Sequence, residues 1–207
     1  MATDVESTTT RDRLLLAAED LFATRGIDAP SLAEITQAAG SANTGAVHYH
    51  FGGREELLAA IVDEHRTALD ARREVLLDEL EASGEVNPAG LVRCLIGPMV
   101  DLLDTERGRA YLSIAAQRAL RPKQAPPTPR PVVARLLRLE GRAGGRAPVA
   151  ALLADLGFLT ATSALARRAR LEAVDGRDAG IGRDAFAAQL LDAITRIVAV
   201  PTGEDHP

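Results

Sequence analysis

His48, Tyr49 and His50 stand side by side in the stretch 31–57, which concentrates this chain's chemically versatile groups. Two imidazoles two positions apart invite comparison with a metal pair. On a helix, however, such side chains diverge, and no third ligand lies nearby in the sequence. The same groups suit nucleic acid better. A capped helix, a glycine break at Gly40, a short helix bearing His-Tyr-His and a new helix after Gly52-Gly53 reproduce the layout of a helix-turn-helix reader. The remainder shows no P-loop, dinucleotide-binding glycine pattern, HExxH or GxSxG, so neither an enzyme nor a cofactor is expected.

The elements that must position these groups are helical throughout. The spacing of Leu14, Ala18, Leu21 and Phe22 predicts a first helix over 10–25, stopped by Gly26. Ser31 and Glu34 form the pattern of a capping box for a second helix. Asn43 is placed to cap a third, over 44–50, in which Val47 and Phe51 pack inward. Arg54 opens a long fourth helix that ends at Ser83-Gly84. Asn87-Pro88 starts a fifth, with Pro98 inside it, and another helix covers 106–120. A Pro-rich connector at 121–131 precedes a short helix at 132–139. Two long helices, 149–173 and 184–200, close the chain. The organisation expected is a disordered arm at 1–9, a helix-turn-helix domain at 10–55, a helical body at 56–200 and a disordered tail at 201–207.

Composition agrees with an all-α fold of about nine helices. The 207 residues are 46% hydrophobic but 3% aromatic, with no Trp, so Leu, Ala, Ile and Val must build the core. One cysteine, Cys94, excludes an internal disulfide and fits a reducing compartment. With no signal-peptide pattern and no apolar run long enough to span a bilayer, a cytoplasmic protein without membrane contact is expected. The net charge of −5 runs against tight non-specific binding to nucleic acid, and acids outnumber arginines in residues 1–55.

LLLAAEDLFATRGIDAPSLAEITQAAG followed by GAVHYHFGGREELLAAI resembles the N-terminal domain of the tetracycline-repressor (TetR) family, over about residues 11–62. GRAYLSIAAQ, at 108–117, also resembles a segment found in some members. The turn 41–43 carries one residue more than in many members, and Gly53 stands where a Ser often precedes the basic residue.

The resemblance implies a three-helix DNA-binding head, a helical ligand-binding body and a homodimer built on the last two helices. It also implies a repressor released from double-stranded operator DNA by a small-molecule effector. It places base contacts at Thr44, Gly45, Ala46 and His48, with Ala46 able to meet a thymine methyl. Phosphate contacts fall to Tyr49, His50, Arg54 and Ser31. Arg11 and Arg13 could reach DNA from the arm. An effector pocket is expected among Met99, Leu103, Tyr111, Ile114, Gln117, Arg118, Phe158 and Thr162. The scarcity of aromatics favours an aliphatic effector over a caged cation. Leu156, Leu159, Leu190, Leu191, Ile194 and Ile197 are the candidate dimer contacts. The acidic head keeps a second reading open: a helical small-molecule-binding or scaffold protein with a degenerate DNA-binding head.

Overall fold

A computed structural model describes residues 9–121, 131–142, 147–175 and 180–198. The expected arm (apart from Thr9), the tail and most of the Pro-rich connector lie outside the described residues. Those described form nine α-helices and one 3₁₀ turn, without strands. The chain divides into two compact units, Met1–Arg66 and Thr67–Pro207.

In the first unit, α1 (Thr10–Arg25) starts with a capping box. The Thr9 hydroxyl accepts from the Asp12 amide, and the Asp12 carboxylate accepts from the Thr9 amide. The Thr9 hydroxyl also donates to the Asp12 carboxylate at 2.7 Å, and this bond, helped by that from the Thr9 amide, holds the carboxyl below its ordinary range. Thr9, expected in a disordered arm, is therefore the cap of the first helix. Gly26, at φ 96°, ends α1 where a side chain would be strained. α2 (Leu32–Ala38) and α3 (Ala46–Phe51) follow, and α4 (Arg54–Ser83) begins in this unit and continues into the second. Leu14, Ala18, Phe22, Ile27, Ile35, Val47, Leu57 and Ile61 are buried together as its core. Within it, Glu19 of α1 meets His65 of α4, Oε1 to Nε2 at 2.5 Å. Glu19 is buried and His65 half-buried, and a buried carboxylate needs such a partner.

The second unit contains α5 (Pro88–Asp101), the 3₁₀ turn Leu102–Asp104, α6 (Glu106–Ala119), α7 (Pro131–Arg142), α8 (Ala147–Asp175) and α9 (Arg183–Val198). α6 is buried continuously from Tyr111 to Ala116 and packs on α8. α9 packs on α5 and α8. Gly157 of α8 allows close approach there, because a Cβ at that position would lie 3.1 Å from Ile194. Beyond Asp101 the chain tightens from α5 into the 3₁₀ turn. Gly108 then lets the first turn of α6 sit against the Leu102 carbonyl, in space a Cβ would occupy.

Candidate nucleic-acid interface

The site is assembled around α3. Its N-terminus differs from expectation: the helix begins at Ala46 with Gly45 as N-cap, and no side chain caps it. Asn43 accepts from the Gly45 amide at 3.0 Å, closing an Asx turn rather than capping α3. Thr44 is thus an exposed turn residue just ahead of the helix. Ala46 is only 2% exposed, so the residue expected at a thymine methyl faces the interior of the head. Ala46 and Val47 are the buried residues of α3.

Tyr49 is 83% exposed, with its ring edge-on to His50 at 5.0 Å. An aromatic so exposed covers no core and leaves its hydroxyl for an external partner. His48, also exposed, donates from Nδ1 to the Gly52 carbonyl at 3.0 Å. That bond fixes the ring and leaves Nε2 as the atom directed to an outside partner. His50 is half-buried between the rings of Tyr49 and Phe51. Among the described residues no cluster of three metal-ligating side chains exists.

Three residues that the sequence placed near DNA make contacts within the head: Arg11 and Ser31 on its surface, and Arg54 half-buried. Phe51, expected in the core, is half-buried and capped by Arg11, whose guanidinium carbon lies 5.0 Å from the ring centre. An Arg expected to reach DNA thereby covers an aromatic face. The Ser31 hydroxyl accepts from the Glu34 amide, and its own amide donates to the Glu34 carboxylate at 2.7 Å. With Arg25 2.9 Å away, these bonds hold the Glu34 carboxyl down to about 2. A carboxylate therefore occupies the end of α2 where a phosphate was expected. The Arg54 guanidinium, also expected on a phosphate, donates to the carbonyls of Ile27 and Pro30.

In the second unit, Met99, Leu103, Tyr111, Ile114 and Thr162 are all buried, on elements that pack against one another. Thr162 donates back to the Phe158 carbonyl, and Gln117 to the Ser113 carbonyl. Phe158 is half-buried. Arg118 is exposed, because it follows the buried stripe of α6 at the helix end. Of the expected dimer contacts, Leu190 and Ile194 are buried within a single chain, at 7 and 2% exposure. They form the inward stripe of α9, one turn apart. Leu156 is 44% exposed, and Leu159, Leu191 and Ile197 are half-buried.

Sequence reasoning missed a buried charge network at the start of α9. Arg168 donates from Nε to Glu172 at 2.6 Å and from Nη1 to the Ile181 carbonyl at 2.8 Å. Arg183 bonds Glu172 and also Asp104 of the 3₁₀ turn. Burial alone would raise the Glu172 carboxyl, but hydrogen bonds from Arg183 and Arg168 bring it below its ordinary value. Arg168 and Glu172 are four apart on α8, the spacing of a helical ion pair. That spacing was a legible signal, though their burial was not.

Residues 14–61 match the model of the bacterial regulatory proteins, tetR family. The match lies within the first compact unit. The chain is 34% identical over 94 residues to the HTH-type transcriptional regulator TtgR of Pseudomonas putida, covering 45% of this chain and 42% of that protein. It is 30% identical over 117 residues to the HTH-type transcriptional repressor BepR of Brucella suis biovar 1, covering 56 and 54%. The chain thus spans about half the length of these TetR-type relatives. SmeT, the repressor of the Stenotrophomonas maltophilia multidrug efflux pump SmeDEF, shares the fold. Its TM-score is 0.54 at 22% identity, over 96% of this chain and 97% of that one.

Proposed function

We propose that this chain is a dimeric transcriptional regulator of the TetR type, most simply a repressor. Its head would bind double-stranded operator DNA in the cytoplasm, and its helical body would release that DNA on binding a small aliphatic molecule. The observation that carries the reading is the exposed row Thr44, His48 and Tyr49 on the reading segment of a tetR-family head. BepR, similar over 56% of the chain, is itself described as a repressor. Thr44 would meet base edges, and Tyr49 and His48 the backbone or base edges. The buried positions Met99, Leu103, Tyr111, Ile114 and Thr162 offer a mostly aliphatic environment with few polar groups, as an apolar effector requires. Release occurs when the effector prefers a conformation in which the two heads no longer match their half-sites.

The test is a fluorescence-anisotropy titration against the DNA upstream of its own gene, with random duplex as competitor, at two salt concentrations. The reading expects preference for the upstream duplex, weakened by salt. Tyr49→Ala should weaken binding to all sequences, and Thr44→Ala should change preference at particular base pairs. Equal affinity for every duplex, with Tyr49→Ala indistinguishable from the parent, would favour the scaffold reading.

A further inference from the structure

Arg54, unlike the exposed row around α3, is engaged within the head, and its role there rests on the DNA-binding reading of that head. It is the first residue of α4. Its Nη1 donates to the Ile27 carbonyl at 2.9 Å and its Nη2 to the Pro30 carbonyl at 2.5 Å. Its guanidinium carbon stands 5.9 Å from the centre of the buried Phe22 ring. Both acceptors belong to the loop between α1 and α2, in which Ile27 and Pro30 are themselves buried.

We infer that Arg54 is a positioning residue, a two-pronged staple that sets the geometry of the reading helices rather than a ligand of DNA phosphate. Loop carbonyls held in a buried turn need donors, and a planar guanidinium supplies two at fixed spacing. Pro30 is followed immediately by Ser31, the cap of α2. On the other side, only Gly52 and Gly53 separate Arg54 from α3. Gly52, at φ 100°, takes a backbone conformation that side chains rarely adopt, so the link is short and turns sharply. One guanidinium therefore indexes the start of α2 and the end of α3 to the same point. Swinging the guanidinium outward to a phosphate would give up both bonds and the ring contact, which together engage only two of its five N–H donors. Lysine, with one compact ammonium, keeps the charge but not the fork.

The experiment uses the full chain, with Arg54→Lys and Arg54→Gln, and a duplex enriched from a random-sequence library by the unmodified protein. Selectivity for that duplex over random DNA, its salt dependence and amide hydrogen exchange are read for each. A staple predicts that Arg54→Lys loses selectivity about tenfold, nearly as much as Arg54→Gln, since both lose the charge-assisted fork. It predicts an unchanged salt slope for Arg54→Gln and faster exchange at residues 27–36, with the interior of α1 unaffected. A phosphate ligand predicts the reverse: Arg54→Lys binds like the parent, and Arg54→Gln lowers the slope by about 0.9. That result overturns the inference. So does a variant that merely loses folded molecules, because its binding fraction falls while the survivors keep their selectivity. If the unmodified protein enriches no duplex, the DNA-binding reading fails by itself. The exchange comparison still decides the staple, and unchanged exchange at 27–36 in Arg54→Gln refutes it.

Discussion

Replacing Arg135 by Gln should loosen α7 without unfolding the protein, and Cys94 provides the built-in reporter. Arg135 reaches three carboxylates on α4: Glu74 at 2.7 Å, Asp78 at 2.7 Å and Glu81 at 2.5 Å. These acids stand at helical spacing, so one guanidinium fastens α7 along two turns of α4. The magnitude can be worked from their exposure. Asp78 is 72% exposed and contributes almost nothing, whereas Glu74 and Glu81 are far less exposed, at 39 and 33%. Two partly screened pairs on one guanidinium are worth about 1–1.5 kcal/mol together. That raises the population of detached α7 by roughly five- to tenfold. Beneath α7, Val132 and Leu139 cover Cys94 and Leu77. Cys94 is the single cysteine, 4% exposed, and burial pushes its thiol up, so it reacts only when uncovered. Maleimide labelling under rapid opening and closing should therefore run about five- to tenfold faster in Arg135→Gln, with the melting temperature little changed. Roughly 1 M salt should accelerate the parent towards that rate and leave the variant unaffected. Equal labelling of parent and variant would refute the reasoning and assign the attachment of α7 to Val132 and Leu139 alone.

Further outcomes concern the core, acid stability and the subunit contact. Gly108→Ala should cost about 2 kcal/mol or more, a fall of roughly 4–8 °C in melting temperature, because its Cβ overlaps the Leu102 carbonyl. The Glu34 carboxyl, at about 2 against an ordinary 4.5, adds stability that is complete above pH 4.5 and lost as pH falls towards 2. Paired melts of the parent and Glu34→Gln should therefore converge across that interval; a constant gap would refute the assignment. Ile194→Ala should destabilise by about 2–4 kcal/mol at every protein concentration, since the side chain is buried within one chain. Leu156→Glu should leave the isolated chain nearly unaffected and shift sedimentation towards monomer. The opposite pattern would place Ile194 in the subunit contact.

Helices were legible because their boundaries are written in local chemistry. Ser31 with Glu34, Asn87 with Pro88, and Gly26 each announce an end that the structure bears out. The third helix was less legible because Asn43 has two local options of similar worth, a helix cap or an Asx turn. The structure takes the latter. The 3₁₀ turn at Leu102–Asp104 was hidden for a different reason. It depends on the close approach of Gly108 to a carbonyl six residues earlier, which no periodicity encodes. Burial of Leu190 and Ile194 was equally hidden: an apolar stripe declares that it must be covered, not which molecule covers it.

The site shows the same limit in sharper form. The exposure of Tyr49 was legible because a short helix between glycines has few ways to hide a tyrosine, whereas Thr44, expected to open that helix, lies in the turn before it. The charged residues were not legible, since a guanidinium satisfies a phosphate, a carbonyl pair or an aromatic face with similar geometry. Arg11 lies on Phe51 and Arg54 on two carbonyls, while Glu34 occupies the end of α2. Arg54 is thus engaged by the head's own backbone, and the outward face of α3 presents hydroxyl and imidazole groups. Affinity built on such groups depends less on counterion release than on fit to base edges. On the proposed DNA-binding reading, the acidic balance of the head is a property to be expected of a selective reader with weak non-specific binding. A shallow salt dependence of specific binding, relative to a head of exposed arginines, would be its signature.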